Sequence, residues 1–395
     1  MSDMSELLYG YELLLFKRFQ THPDTWLEWR QKILEKTQDD GMIEDLDDIG
    51  SIPQSLWFLS VALHKRQKYL IQLIKSEVMR EKQGLIRKSG ETLFSTYLNA
   101  HRFTEFHLDS IFKYGEENSL PLEIFKCPNL SYLSLKYNCL YELPADIGRL
   151  QKLRYLALTN NKLHVQSLPY SLIFCRSLET LLLDNNLLDA LPGFLLQIPS
   201  LETVHRHGNH NYFKSTFMWY HTDVHYRIIP IMGNKDSQKR QQHTLQFLAA
   251  QCVIGSKKDF FSDPSVAPVL KDFICSIYDK FSICHFCEKA VYMGDPGYKV
   301  ITFKNPYLGN TCVPFQHWAC TKECAISIEV PARLEQIAAA TELDTKYRMY
   351  IQECERAFFN NDHIESVCSC LGSSASDMES LSTKSSASRS TCSIS

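Results

Sequence analysis

Between residues 130 and 188 the chain repeats one spacing of leucines and asparagine three times, and that spacing leaves little freedom in how this stretch folds. Leu130, Leu133, Leu135, Asn138 and Leu140 make the first copy; Leu153, Leu156, Leu158, Asn161 and Leu163 the second; Leu178, Leu181, Leu183, Asn186 and Leu188 the third. The leading leucines stand 23 and 25 residues apart, and a worn fourth copy starts 23 residues later at Leu201, with Val204 and Asn209 in register. Side chains alternate along a strand, so Leu133 and Leu135, Leu156 and Leu158, and Leu181 and Leu183 are expected to point into one core. Each Asn can satisfy backbone groups that a turn would otherwise bury unpaired.

A period of this length with L-x-x-L-x-L-x-x-N-x-L phrasing is a leucine-rich repeat. One such unit cannot cover its own apolar face, whereas stacked neighbours can, so the expected α/β core is a short solenoid. The outward side chains of its strands form a concave face. Its middle column is Ser134, Ala157, Leu182 and His205, flanked by Tyr132, Tyr155, Thr180 and Thr203 and by Lys136, Thr159, Asp184 and His207. That face either holds a partner protein or is covered by neighbouring segments of the same chain, and both readings stand. Leu93 to Leu122 has room for a degenerate first repeat.

At 395 residues the chain exceeds one ordinary core. The expected units are an N-terminal helical region over 1–92, repeats over 93–215, a further helix with a cysteine-rich module over 216–330, a C-terminal helix over 331–365 and a disordered serine-rich tail over 366–395. The N-terminal helices, in which Trp26, Leu27, Trp29, Ile33 and Leu34 recur at helical steps, are expected to cap the open end of the solenoid. The acidic connector from Asp39 to Asp48 and the basic cluster Arg80, Lys82, Arg87 and Lys88 read as solvated, self-paired charge. A formal net charge of -3 gives no pull towards nucleic acid or anionic lipid. With no basic start before the first apolar stretch and no run long enough to span a bilayer, the expectation is a soluble intracellular protein whose 14 cysteines stay as thiols.

The grouping of those cysteines then matters more than their number. Cys284-His-Phe-Cys287 is one close pair, and Cys320-Thr-Lys-Glu-Cys324 supplies a second. Short turns of this kind aim two thiolates at one point, and two pairs complete a closed tetrahedral zinc site of structural type. His285, Cys312 and His317 stand by as substitute ligands, and four buried thiols acting as small hydrophobes would be the metal-free alternative.

Upstream lies a second motif, His243 to Val253. Read as a helix, it places Leu245, Ala249 and Val253 on one stripe at steps of four, the shape of an anchor that enters a partner's groove and equally of a core helix. The chain ends Cys392-Ser393-Ile394-Ser395, which reads as a prenylation box with Cys392 as the lipidated residue and membrane attachment contingent on it. Catalysis is not expected: the sequence has no phosphate-binding glycine loop, nucleophile elbow or H-E-x-x-H pair.

A repeat block, then Thr-Leu-x-x-x-Ala-x-x-x-Val, then the C-x-x-C and C-x-x-x-C pairs resembles a group of intracellular leucine-rich-repeat proteins that includes leucine-rich repeat-containing protein 28. The resemblance spans roughly Leu93 to Val330. It implies that the helix at Leu245 is a BC-box-like element, with Leu245 entering elongin C, Ala249 at the small position and Val253 closing the contact. It further implies that Cys284, Cys287, Cys320 and Cys324 form the group's terminal cysteine module. Several members of the group are substrate receptors of elongin-B/C cullin-type ubiquitin ligases, so that function is the first expectation. The expected site of action, from the lack of an export signal or a membrane-spanning run, is the cytoplasm, with the nucleus or a peripheral membrane attachment as variants. The second is a non-ligase adaptor that holds signalling proteins together, tethered to membranes if Cys392 is prenylated. The sequence departs from a cullin-2 box, since Ala267-Pro268-Val269-Leu270 places Lys271 where that box carries a hydrophobic residue, and the cullin is therefore left open.

Overall fold

The computed structural model describes residues 6–10, 13, 27, 31, 83, 92–112, 120–209, 227–233, 244–256, 258–305, 307–309 and 313–359. The serine-rich tail with Cys392, Cys312, and most of the expected N-terminal helices lie outside these residues. Two compact units divide the chain, residues 1–333 and 334–395.

The repeats stack as expected. Strands β1 (Glu6–Tyr9), β2 (Phe103–His107), β3 (Tyr132–Ser134), β4 (Tyr155–Ala157), β5 (Thr180–Leu182) and, after a two-residue strand β6 (Leu191–Pro192), β7 (Thr203–His205) are introduced in chain order. All but β6 pair in parallel in the order β1-β2-β3-β4-β5-β7. Leu133 sits opposite Leu156, Leu156 opposite Leu181, and Leu181 opposite Val204. These leucines and their partners Leu135, Leu158 and Leu183 have no exposed surface, each worth about 1.5–3 kcal/mol of apolar burial.

Each turn after a strand bends through a left-handed residue, at Tyr137, Asn160, Asn185 and Gly208, one per repeat. At Gly208 a Cβ would also strike the Asn185 side chain, so glycine is required there on two counts. The repeat then closes through a Leu-Pro step into a 3-10 turn: Leu122–Lys126, Ala145–Arg149, Tyr170–Phe174 and Gly193–Gln197 follow Pro121, Pro144, Pro169 and Pro192. Proline fixes its own φ and offers no N–H, which suits the residue that opens each turn.

The asparagines form a ladder through the buried bends. Asn138 Oδ1 accepts from the backbone N–H groups of Ile111 and Phe112, both at 2.7 Å, while its Nδ2 donates to the carbonyls of Leu108 and Leu135 at 3.0 and 2.8 Å. Asn161 and Asn186 repeat this one and two units on, and Asn209 finishes the ladder by accepting from Asn186 and Leu188.

The degenerate first repeat is present. Phe106 and Leu108 take the core places held elsewhere by leucine pairs, Phe106 sits opposite Leu133, and Ser110 supplies the left-handed bend. A short helix α1 (Leu93–Ala100) precedes it, closed by a reciprocal Thr92–Ser95 capping box. The expectation of purely helical sequence over 1–92 needs correction, because Glu6–Tyr9 is a strand that pairs with the outer edge of β2, Leu8 opposite Phe106. An open sheet edge leaves backbone groups unpaired, and an extended segment satisfies them where a helix could not.

The rest of the first unit packs on the 3-10 side of the solenoid. It contains β8 (Ile228–Ile231), α2 (Leu245–Gly255), α3 (Pro268–Tyr278), β9 (Phe281–Ile283), β10 (Ala290–Tyr292), β11 (Gly297–Lys304) and β12 (Val313–Ala319). A four-stranded sheet of order β6-β12-β11-β8 joins it to the repeats, with Phe315 and Gln316 of β12 opposite Leu191 and Pro192 of β6. Arg149, at the end of one 3-10 turn, donates to Asp272 of α3 at 2.6 Å and lies over the Phe261 ring, while Lys126 reaches the other Asp272 oxygen at 3.1 Å. The last helix, α4, runs from Lys322 to Phe359 across the boundary between the two units.

Candidate metal centre and an outward-facing helix

The four cysteines of the two sequence pairs meet. Their sulphurs all lie within 4.8 Å of one another, with Cys287 Sγ 3.4 Å from Cys320 Sγ and Cys320 Sγ 3.8 Å from Cys324 Sγ. Four sulphurs at zinc–sulphur distance around one tetrahedral ion stand about 3.8 Å apart. The cluster therefore fits a metal of that radius, and none of the four is in a disulfide.

Secondary structure aims each thiol. Cys284 follows directly on β9, and its turn is closed by Glu288 N donating to Cys284 O at 2.9 Å, with Glu288 in the left-handed region. Cys320 follows β12, and Cys324 sits in the first turn of α4, where Thr321 Oγ1 accepts from Cys324 N at 3.2 Å as the cap. The helix start adds positive potential beside the sulphurs. Burial opposes ionisation of the Cys284 thiol, but backbone N–H groups of Cys287, Cys320 and Phe286 aimed at it prevail and its pKa is lowered. Burial instead raises the Cys287 and Cys320 thiols, so a bound metal ion would itself have to displace their protons.

His285 and His317 are not part of the cluster, which corrects their role as substitute ligands. His317 is buried on β12; its Nε2 is 2.9 Å from Thr302 Oγ1, and its Nδ1 is 3.3 Å from His285 Nδ1. Burial pushes the His317 imidazole down to about 4, so the ring is neutral near pH 7. His285 also meets the Tyr170 and Phe194 rings at 5.5 and 6.0 Å. The two imidazoles thus form the seam between repeats and module.

Gly193 completes that seam. A Cβ there would strike the His317 ring, which Thr302 and His285 hold in place. Replacing Gly193 by Ala is expected to destabilise the protein by about 1–3 kcal/mol through overpacking, read as a lower urea midpoint. The other repeats carry Leu122, Ala145 and Tyr170 after their prolines, so glycine at this one place was a legible sign of close approach. Beside the seam lies a cavity of about 840 Å³, lined by Tyr170, Phe194, Asp272, His285, Met293 and Trp318 among others.

The helix singled out upstream is α2. Thr244 caps it, its Oγ1 accepting from Phe247 N at 3.3 Å. Ala250 and Ile254 are buried, Phe247 rests on Phe281 of β9 at 5.0 Å, and Gln251 Nε2 donates to the Ala290 carbonyl of β10 at 2.8 Å. One face is thereby fixed to the strands that carry the Cys284 turn. Of the expected stripe, Leu245 is 82% exposed, Ala249 is exposed and Val253 is half-buried against the core. Leu248 and Cys252, which the stripe did not include, are also exposed on this helix. On α3, Val269 and Leu270 face solvent, while Lys271 turns back to donate to the Phe261 carbonyl at 2.7 Å.

The concave face is partly closed. Tyr132 stacks on Tyr155 at 4.5 Å and on His107 at 4.8 Å. Tyr132, Tyr155, Lys136, Thr159, Leu182 and Asp184 are half-buried, and His205 and His207 are exposed. Ser134 and Ala157, expected in the middle of a binding surface, have no exposed area. Ser134 Oγ instead donates to Asp109 at 2.6 Å, and the single methyl of Ala157 does not reach past its neighbours. Asp184 accepts from His207 N at 2.6 Å and lies 3.8 Å from His205 Nδ1.

Fold and site together define a leucine-rich-repeat solenoid carrying a four-cysteine cluster able to hold a metal ion. No protein-family model and no curated protein matches the chain. Among solved structures it is similar to a leucine-rich-repeat protein of Leptospira interrogans, with 25% identity over 29% of this chain and 33% of the other, at a TM-score of 0.25. It is also similar to the leucine-rich-repeat domain of the type III effector XopL, with 15% identity over 53% of this chain and 75% of the other, again at a TM-score of 0.25. The chain spans about a third of the length of the first of these. The repeat assignment stands on the strand register and the asparagine ladder. Among the described residues no helix is long and apolar enough to cross a membrane.

Proposed function

We propose that this chain is a non-catalytic protein-recognition subunit, the substrate receptor of an elongin-B/C cullin-type ubiquitin ligase, with α2 as the element that enters elongin C. The observation that carries the proposal is the exposure of Leu245 and Ala249 on a helix whose opposite face is pinned to β9 and β10. An apolar residue of this size left in water on a rigid helix is the geometry of a groove anchor. The cysteine cluster, with zinc as its metal on the strength of four thiolate ligands in tetrahedral spacing, braces the strands under that helix. The accessible part of the concave face, with half-buried Tyr132 and Tyr155 and exposed His205 and His207, is where a substrate would sit. Val269 and Leu270, outward at the start of α3, would face the cullin; Lys271, engaged with its own chain, takes no part in that contact. Free thiols throughout the described residues suit a reducing compartment, the cytoplasm or nucleus.

Elongin B and C are expected to co-purify with the wild type and to be lost from the double substitution Leu245→Ser with Ala249→Glu, whose exposed sites leave the fold intact. Equal recovery with both proteins, or with neither, would favour the non-ligase adaptor.

A further inference from the structure

Helix α4 contains 38 residues, about 57 Å of helix, and beyond Arg333 it carries Ile337, Leu343, Tyr347, Tyr350 and Ile351, all exposed. A helix of this kind draws most of its stability from burying an apolar face, and none of these five is buried. The exposed residues are not scattered. Ile337, Ala340, Asp344, Tyr347, Ile351 and Cys354 follow one another at alternating steps of three and four, the seam spacing of a two-stranded coiled coil, with Leu343 and Tyr350 flanking it. The back of the helix carries the Glu342–Lys346 ion pair at 2.7 Å, together with Glu335, Glu353 and Arg356, and one exposed apolar residue, Met349.

We propose that residues 337–354 pair with the same segment of a second copy of this chain, running antiparallel. The choice of occupant and direction follows from the one polar seam residue. A parallel pair would set two Asp344 carboxylates face to face, a destabilising arrangement of like charges away from water. An antiparallel pair layers Ile337 on Cys354 of the second copy, Ala340 on its Ile351, and Asp344 on its Tyr347. Every layer then sets a larger side chain against a smaller one, and Asp344 lies beside Tyr347 and Arg348 of the second copy. Both Asp344 and Arg348 are exposed and without a partner among the described residues. A single polar position that fixes register is a known device of such seams.

The full-length protein is expected to run at twice the chain's mass in light scattering at micromolar concentration. Asp at both Ile337 and Ile351 is expected to return it to monomer with metal content unchanged and with helix content lowered by no more than the seam segment, since that segment loses the burial that supports it. Direction is read by cross-linking: Ile337→Cys under mild oxidation is expected to give a dimer in which mass spectrometry finds the introduced thiol joined to Cys354. A wild-type monomer at every concentration overturns the proposal, as does a dimer indifferent to both Asp substitutions or one cross-linked Cys354 to Cys354.

Discussion

Chelation of the metal, or Cys284→Ser, is expected to unfold the module from β9 to the start of α4 and to release α2 with it. Cys284 is the only fully buried ligand and joins β9 to the cluster. The sheet around it is small: β9 and β10 form a two-stranded pair that could not stand alone in water. Structural zinc in small modules contributes about 10–16 kcal/mol of apparent binding energy at neutral pH, and that energy is folding energy. Loss of even about 5 kcal/mol would lower the melting temperature by about 7 °C in a unit of 333 residues. Calorimetry with metal analysis checks this. Cys287→Ser, at the exposed ligand, is expected to weaken metal retention in the same direction. A protein that holds no metal after mild purification, yet melts where the chelated protein melts, would show the cluster to be four reduced thiols.

Asn138→Ala is expected to cost about 3–5 kcal/mol, more than truncating any single exposed residue of the concave face. The side chain is 3% exposed and makes four backbone bonds. Its loss leaves Ile111 N and Phe112 N without the oxygen they share, and Leu108 O without its amide donor; Leu135 O keeps a second donor in Asn161. Each orphaned buried group costs about 1–3 kcal/mol. Because Asn138 ties the degenerate first repeat to the second, amide exchange should rise first in β2 and β1. Denaturant unfolding measures the total. A midpoint within error of wild type would mean that water replaces the side chain at no cost.

Much of this architecture was written in the sequence because it depends on period. The leucine spacing set the strands, and the asparagine at each bend had one physical task. The two cysteine pairs were legible for the same reason: ligand spacing in short turns is a local property. The first repeat was harder to read because Phe103 and Phe106 stand where leucines would announce it, although a pleated core accepts either. β1 gave no signal, since Leu7 and Leu8 suit a helix as well as a strand and only the vacant edge of β2 decides. The pairing of β6 with β12 left only a faint one, as two residues carry no periodicity. Its trace was Gly193, a small residue at one turn of four. His285 and His317 have the chemistry of ligands, and only the fold shows them facing each other across a seam. Composition could not tell which face of α2 was inside: Phe247, Ala250, Val253 and Ile254, which face inward, are no more apolar as a set than the outward Leu245, Leu248, Ala249 and Cys252.

The most direct test of the account is amide exchange on the purified full-length chain with and without purified elongin B–C. The outward stripe on α2 is expected to produce new protection across Leu245–Gly255, carried to β9 and β10 beneath it, with the concave strands unchanged. Exchange in α2 that is the same with and without elongins, or protection confined to β3–β7, would contradict it.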